Sequence, residues 1–199
     1  MASRDATRLI GLHMLVKDEK PLLGPLLKHV MPYVGEAVIV DTGSSDGTDR
    51  LAADMGARVI YQALRYDFAQ ARNAGLQVMQ SRWIFMVDAD EWPTQRLLDW
   101  LHEWVVRRIT VEAMLIRRHN RLDGRDAGER TWEWHPRLFR NGLRFTRALH
   151  EYLPLRLYGR APEDAILQHY KTRERQERQD RFYKEWGDAP YGDQTGRYR

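Results

Sequence analysis

Three carboxylates in four positions, Asp88, Asp90 and Glu91, follow directly on the apolar run WIFMV at 83–87. Asp88 and Asp90 stand two residues apart, so in an extended chain they point the same way. Two carboxylates on one side can share a hard divalent cation, which prefers oxygen ligands and can hold phosphate oxygens as well. An isolated D-x-D reads more often as a solvated acidic turn, so its surroundings decide its meaning. Asp41 is a second acid that ends a short apolar run, AVIV at 37–40. Further along, His150-Glu151 follows an arginine-rich stretch, and His169 lies within DAILQHY at 164–170.

These groups need elements to place them. A short apolar run bounded by polar residues reads as a strand buried on both faces. The acids of 88–91 then sit where the strand leaves its sheet, the edge at which open α/β sheets bind ligands. The segment RLIGLHMLV at 8–16 reads as a first strand. Leu22, Leu23, Leu26, Leu27 and Val30 mark one face of a helix with Pro21 in its first turn. After the strand at 37–40, the Gly- and Ser-rich segment 42–49 makes a tight turn. Ser45 or Asp46 then caps a helix over about 48–55. A strand at 57–61, a helix at 67–80 and the strand at 83–87 complete a β-α-β-α-β-α-β series, the pattern of a parallel sheet with right-handed crossovers. Asp41 and Asp88 thereby reach the same sheet edge. The turn at 42–49 is neither G-x-G-x-x-G nor G-x-x-x-x-G-K-[ST], so the dinucleotide-binding and P-loop fingerprints are both missing.

Beyond Pro93 a helix runs to about Val106, and 111–116 reads as a strand. The charged, Gly-containing segment 117–130 reads as a surface loop. Asn141-Gly142 is a tight-turn signal. It predicts a hairpin joining 137–140 to 143–145 and displaying Arg137, Arg140, Arg144 and Arg147. A strand over 164–170 exposes His169, a charged helix covers 171–186, and 187–199 is a polar tail.

The 199 residues fit one domain: a half at about 8–106, a second half at about 107–170, and a C-terminal charged helix and tail at 171–199. With 43% hydrophobic residues and seven Trp, the composition is that of a globular protein with a sizeable core. No cysteine is present, which rules out disulfides and thiolate metal sites. No apolar run has the length of a signal peptide or a membrane span, so a cytoplasmic protein without membrane insertion is expected. The net charge of +4 is uneven: residues 1–106 carry 11 Lys and Arg against 14 Asp and Glu, and residues 107–199 carry 21 against 14. The second half is the one suited to an anion. Subunit number leaves no mark in the sequence.

Six motifs occur in a fixed order: M-L-V-K-D-E, V-D-T-G-S-S-D-G-T, D-F-A-Q-A-R-N-A-G, F-M-V-D-A-D-E, P-R-L-F-R-N, then H-E. In that order they resemble the family 2 glycosyltransferases over roughly residues 8–170. The resemblance implies an α/β GT-A fold, a Rossmann-like nucleotide-binding sheet with flanking helices and a small acceptor-side hairpin region. It also implies transfer of a sugar from a nucleoside diphosphate sugar, a UDP-sugar first of all, to an acceptor hydroxyl with inversion. Carried over by position, Val16, Lys17 and Glu19 fall in the first nucleotide loop, Asp41 contacts the base, and Arg72 contacts the base or a phosphate. Asp88 lies near the ribose and metal, Asp90 binds Mn²⁺ or Mg²⁺, and His169 approaches the metal or diphosphate. Glu151 is the candidate base. Each also has a plain structural reading: Glu151 paired with an arginine, His169 a core histidine, Arg72 a helix-surface charge. The chemistry fits the family, because a leaving diphosphate needs a metal held by carboxylates and an acceptor hydroxyl needs a positioned base.

The resemblance leaves the acceptor open. Trp132, Trp134, Arg137, Arg140 and His150 form the expected acceptor-binding set. Arginines interleaved with aromatics suit an anionic polymer, with Arg on phosphates and rings stacking on bases or sugars. DNA carrying a hydroxymethylated base is one candidate, and a glycan, lipid-linked or protein acceptor is the other. A non-catalytic nucleic-acid-binding module is the reading from a different class, and it leaves Asp41, Asp88 and Asp90 unexplained. A sugar-phosphate nucleotidyltransferase would show a Gly-rich loop after the first strand, where Val16-Lys17-Asp18-Glu19-Lys20 has no glycine.

Overall fold

The parallel register predicted for the first 90 residues is present in the computed structural model, which describes residues 4–64, 67–107 and 110–185. A short helix α1 (Arg4–Leu9) leads into β1 (Ile10–Val16), then α2 (Lys20–Val30), β2 (Glu36–Asp41), α3 (Thr48–Asp54), β3 (Arg58–Tyr61), α4 (Phe68–Leu76) and β4 (Trp83–Met86). The sequence predicts strand for residues 8 and 9, but both belong to α1, whose Ala6 is fully buried in the core. Strand β5 (Glu91–Pro93), helix α5 (Gln95–Val105), β6 (Ala113–Leu122), β7 (Arg125–Asp126), β8 (Trp132–Arg140), β9 (Tyr158–Arg160), β10 (Ile166–Lys171) and α6 (Arg173–Glu185) follow. The predicted polar tail lies outside the described residues.

All but two of the strands follow the order β3-β2-β1-β4-β8-β6-β10-β5 in one sheet, and β7 and β9 pair with β6. Strands β1 to β4 are mutually parallel, while β8 runs antiparallel to both β4 and β6. One face of the parallel part is covered by α1, α2 and α5 around Leu12, Met14, Ile39, Trp83 and Phe85. Helix α4 covers the other face over Val38, Ile84 and Phe139. Gly75 permits that approach. A Cβ there would lie 2.6 Å from both the His13 ring and Val40 Cγ2.

Two expectations for the second half are corrected. Residues 117–122 are strand, not loop, because their polar side chains alternate between two occupied faces. Arg118 and Asn120 enter an ionic network, while Arg117 and His119 pack on Trp132. The 137–145 hairpin does not form either. Asn141-Gly142 does turn, with Gly142 at φ 103°, but β8 takes β6 and β4 as its partners. The chain after Leu143 leaves the sheet and docks on α4, where the Asn73 amide exchanges two 2.9 Å hydrogen bonds with the Phe145 backbone. Paired 2.8 Å bonds between the Thr146 and Tyr152 backbones then close a loop around His150 and Glu151. Among the described residues no helix is long and apolar enough to cross a membrane.

Candidate active site

The loops after β1 and β2 are knitted together by side chains. Ser45 N donates to Asp18 Oδ1 at 2.7 Å, Glu19 N to Thr48 Oγ1 at 2.8 Å and Lys20 N to Asp46 Oδ2 at 3.1 Å. Gly47 is the N-cap of α3 by its backbone, φ 85°, and Asp46 supplies the acceptor for Thr48 N at 2.9 Å. Val16 aligns with Asp41 across β1 and β2, and Lys17 is exposed. Asp41 is 2% exposed. Its Oδ1 accepts from Gly43 N and Ser44 N at 2.8 Å each, while Oδ2 has no partner among the described residues. A buried carboxylate oxygen left without a donor is costly unless something else supplies one.

Asp88, Ala89, Asp90 and Glu91 form a closed turn rather than an extended run. Glu91 N donates to the Asp88 carbonyl at 3.0 Å, and Asp88 N donates back to Glu91 Oε2 at 3.0 Å. The turn separates the two aspartates into different surroundings. Asp88 Oδ1 accepts from Arg72 at 3.0 Å and Oδ2 from Arg137 at 2.9 Å. Burial alone would raise its pKa, but Arg137 and Arg72 outweigh that and hold it far below the usual carboxylate range. Asp90 lies 3.5 Å from His169 Nε2 and 3.2 Å from Arg175 Nε. Against the upward push of burial, His169 and Arg175 lower its pKa.

Arg72 is buried, not a surface charge. Its Nε donates to Glu151 Oε1 at 2.7 Å while its Nη2 holds Asp88. One guanidinium therefore ties the candidate base to the first acid of the turn. The arginine partner of Glu151 comes from α4, not from the neighbouring arginines in sequence. His13, at the centre of β1, receives α4 from beneath, with Nε2 3.0 Å from the Arg72 carbonyl. Burial and the Arg72 charge pull its pKa down to about 3, so it stays neutral.

The polar face of β6 and β8 supports the turn from the other side. Fully buried Glu91 pairs with Arg137 and accepts from Arg118 at 3.3 Å. Glu133 Oε2 accepts from Arg118 and Asn120, at 2.7 Å each, with His135 Nε2 at 3.4 Å. Asn120 Oδ1 lies 2.8 Å from His169 Nδ1. Because the Asn120 amide nitrogen already donates to Glu133 and to the Arg130 carbonyl, its oxygen is the acceptor and Nδ1 of His169 carries the proton. The ring is thereby turned with Nε2 toward Asp90, the orientation in which a histidine ligates a metal.

Among the described residues no three His, Cys, Asp or Glu side chains converge into a closed metal cage. Asp90 and His169 nevertheless fit an ion of the kind that binds through one or two protein groups plus substrate phosphates.

The expected acceptor set does not assemble. Trp132 and Trp134 sit on the face of β8 opposite Glu133 and His135. Trp132 stacks on His119 at 4.1 Å and beneath Arg117 at 4.2 Å, and Trp134 faces Arg160 at 5.3 Å. Arg137 is buried against Asp88 and Glu91 rather than exposed for an acceptor. Arg140 stacks 4.3 Å over Trp83, at the end of β4 remote from Asp88. Apart from the buried Arg137, His150 is the member of the set that lies beside the site. It has a left-handed backbone, φ 49°, and its ring is 5.3 Å from that of Tyr183 on α6. Arg118, Asn120, Glu133, His135 and Arg175 were missed. Polar alternation at 118 and 120, and again at 133, 135 and 137, is the strand signal that finds most of them.

The model for glycosyl transferase family 2 matches residues 13–167, well over half of the chain, and the chain belongs to that family. A TPR repeat-containing protein of Synechococcus elongatus is 33% identical over 149 residues, covering 71% of this chain and 34% of its own length. The chain thus spans about a third of that curated relative. Among solved structures, a mycobacterial protein superposes with a TM-score of 0.53 at 18% identity, over 84% of this chain and 67% of that one. Glucosyl-3-phosphoglycerate synthase from Mycobacterium tuberculosis, in complex with UDP, gives 0.50 at 20% identity, over 59% of this chain and 47% of that one. At these identities the likeness is one of fold, and the curled, mostly parallel sheet is that of the GT-A glycosyltransferases.

Proposed function

We propose that the chain transfers a sugar from a UDP-sugar to an acceptor hydroxyl, with inversion and with Mn²⁺ or Mg²⁺ bound at Asp90 and His169. The observation that carries this reading is the gathering of groups at one sheet edge. Asp41, Asp88 and Asp90 meet there at the ends of β2 and β4, and β10 brings His169 against Asp90 from far along the chain. The unsatisfied Oδ2 of Asp41 suits an N–H of the nucleotide base. Val16, Lys17 and Glu19 line the loop beside it, and this first half of the chain is the nucleotide-sugar half of the proposal. A bound cation would neutralise the charge developing on the departing diphosphate. Glu151, with one oxygen held by Arg72, is the base. It takes the acceptor hydroxyl proton as that oxygen bonds to the anomeric carbon and the carbon–oxygen bond to the diphosphate breaks, releasing UDP.

The acceptor is a hydroxyl compound reached past His150 and the 145–152 loop. A nucleic-acid acceptor loses its support, because Trp132, Trp134 and Arg140 do not face the site and Arg137 is buried and engaged by Asp88 and Glu91. A glycan, lipid-linked or protein acceptor is the reading retained.

A ligand bound only by the native state raises the melting temperature. UDP should do so with Mn²⁺ and much less without it, while GDP, CDP and dTDP give smaller shifts. Replacing Asp90 by Asn should erase the metal dependence. If no nucleotide shifts the melting temperature with or without metal, the reading fails.

A further inference from the structure

Arg175 lies outside the residues matched by the family model and has no part in the proposed transfer. Its side chain nevertheless reaches the acids at the centre of the site. Nη1 donates to Glu19 Oε2 at 3.0 Å, Nη2 to Glu19 Oε1, and Nε lies 3.2 Å from Asp90 Oδ2. Glu19 comes from the first nucleotide loop and Asp90 from the acidic turn, so one guanidinium bridges both walls of the cleft. Burial alone would lower the arginine's pKa, and the Glu19 and Asp90 carboxylates raise it instead.

Helix α6 carries this arginine across the cleft. None of its side chains is buried. At its far end Phe182 and Tyr183 rest on Phe68 of α4, with centroids 6.2 and 6.4 Å apart, and Tyr183 also meets His150. At its near end Arg173 N donates to Asp123 Oδ1 at 3.0 Å. The helix is thus fastened at both ends by exposed or half-exposed contacts, with its strongest contact, Arg175, in the first turn beside Arg173. Its span runs from the metal candidate, Asp90, to the loop that bears the candidate base.

We propose that α6 is an internal strap and that Arg175 is a tethered cation competing with a divalent ion for Asp90. The inference rests on the reading of Asp90 and His169 as the cation site. Arg175 holds the Asp90 oxygen that faces His169 and sets a like charge where the ion would sit, so binding of the ion is opposed until Arg175 withdraws. Arg175 stands in the first turn of α6, so its withdrawal from Asp90 and Glu19 loosens the near end of the helix over the site. A strap closed in roughly nine of ten molecules lowers the apparent affinity for the ion about tenfold.

Calorimetric titration of the full chain with MnCl₂ alone tests this. Arg175→Ala should bind Mn²⁺ about tenfold more tightly than the unsubstituted protein. Arg178→Ala removes the same charge from α6 at a residue whose ion pair among the described residues is with Glu174, and should leave the affinity unchanged. Amide exchange of 173–185 gives a second readout. It should be faster in Arg175→Ala without metal, and in the unsubstituted protein once Mn²⁺ is added. If the unsubstituted protein binds Mn²⁺ and Arg175→Ala binds it no better, the strap is overturned while the cation site stands. Equal tightening by Arg178→Ala would reduce the effect to net charge and overturn it too. If no form binds Mn²⁺ alone or with UDP, the cation-site reading falls and the strap with it.

Discussion

Arg72 holds Asp88 with one nitrogen and Glu151 with another, 3.0 and 2.7 Å away. A base needs a fixed direction, and a buried guanidinium supplies it. Glu151→Gln keeps the shape and can still accept a hydrogen bond from Arg72, but cannot take a proton. Sugar transfer in that variant should fall by about 10²–10⁴-fold with UDP affinity nearly unchanged; steady-state rates beside calorimetric UDP binding would show this. Retained transfer would remove Glu151 from the mechanism. At this scale the acids were legible in the sequence, because a carboxylate after an apolar run is a local signal. Their partners were not. Arg72 and Glu151 are 79 positions apart, and nothing in either neighbourhood says that they meet. The aromatic and arginine residues of 132–140 misled for a related reason. Read as composition they make one basic aromatic surface, whereas a pleated strand sends alternate residues to opposite faces.

Helix α4 stands over β1 and β2 closely enough for its backbone to meet the His13 ring. Gly75 makes this possible, since a Cβ at that position would fall 2.6 Å from His13 and from Val40. Both neighbours are fully buried, so neither can give way freely. Gly75→Ala should lift α4 from the sheet, with a loss of about 1–3 kcal/mol in denaturant unfolding. Because Arg72 rides on the same helix, UDP-dependent thermal shifts should shrink as well. Undiminished stability would mean that the helix relaxes without strain. The elements of the first half were read closely, since period-two and period-3.6 patterns there alternate cleanly between Gly and Pro punctuation. The second half was read less well. In β6 the strand continues through charged residues whose burial depends on Glu91, Glu133 and His169, each supplied by another part of the chain. Charge read as solvent exposure turned a strand into a loop.

The whole molecule carries its buried charge on an acid-sensitive balance. Burial, reinforced by Arg72, brings the His13 pKa down to about 3, and burial reinforced by Arg118 does the same for His135. Between pH 6.5 and about 3 the unfolded chain binds protons at these histidines that the folded chain excludes. Their contribution to stability is therefore complete above pH 6.5 and is lost as the pH falls, by at most about 5 kcal/mol each. Asp88 acts in the same direction at lower pH. With its folded pKa depressed below the unfolded value, its contribution is lost as carboxylates protonate. The melting temperature should thus decline from about pH 6.5 downward, before the range in which exposed carboxylates titrate. His13→Gln should flatten the upper part of that decline. A melting temperature constant from pH 7 to 5 would contradict the burial of both rings.

The order of strands has a consequence for how the chain reaches this state. Strand β8, residues 132–140, lies between β4 and β6 in the middle of the sheet. Every residue of β4 is buried, and one of its two edges is completed by β8 alone. As the polypeptide emerges from the ribosome, the first four strands can assemble with their helices, but the flank of Trp83–Met86 stays open for some fifty residues of further synthesis. Such an edge, apolar and unpaired, is a template for pairing with another chain. Closing it requires a distant segment, which makes the step slow and leaves the nascent protein exposed to aggregation meanwhile. The strand that delivers Arg137 to the acidic turn is thus also the one that seals the sheet, so the cluster around Asp88 is completed only once that vulnerable interval has ended.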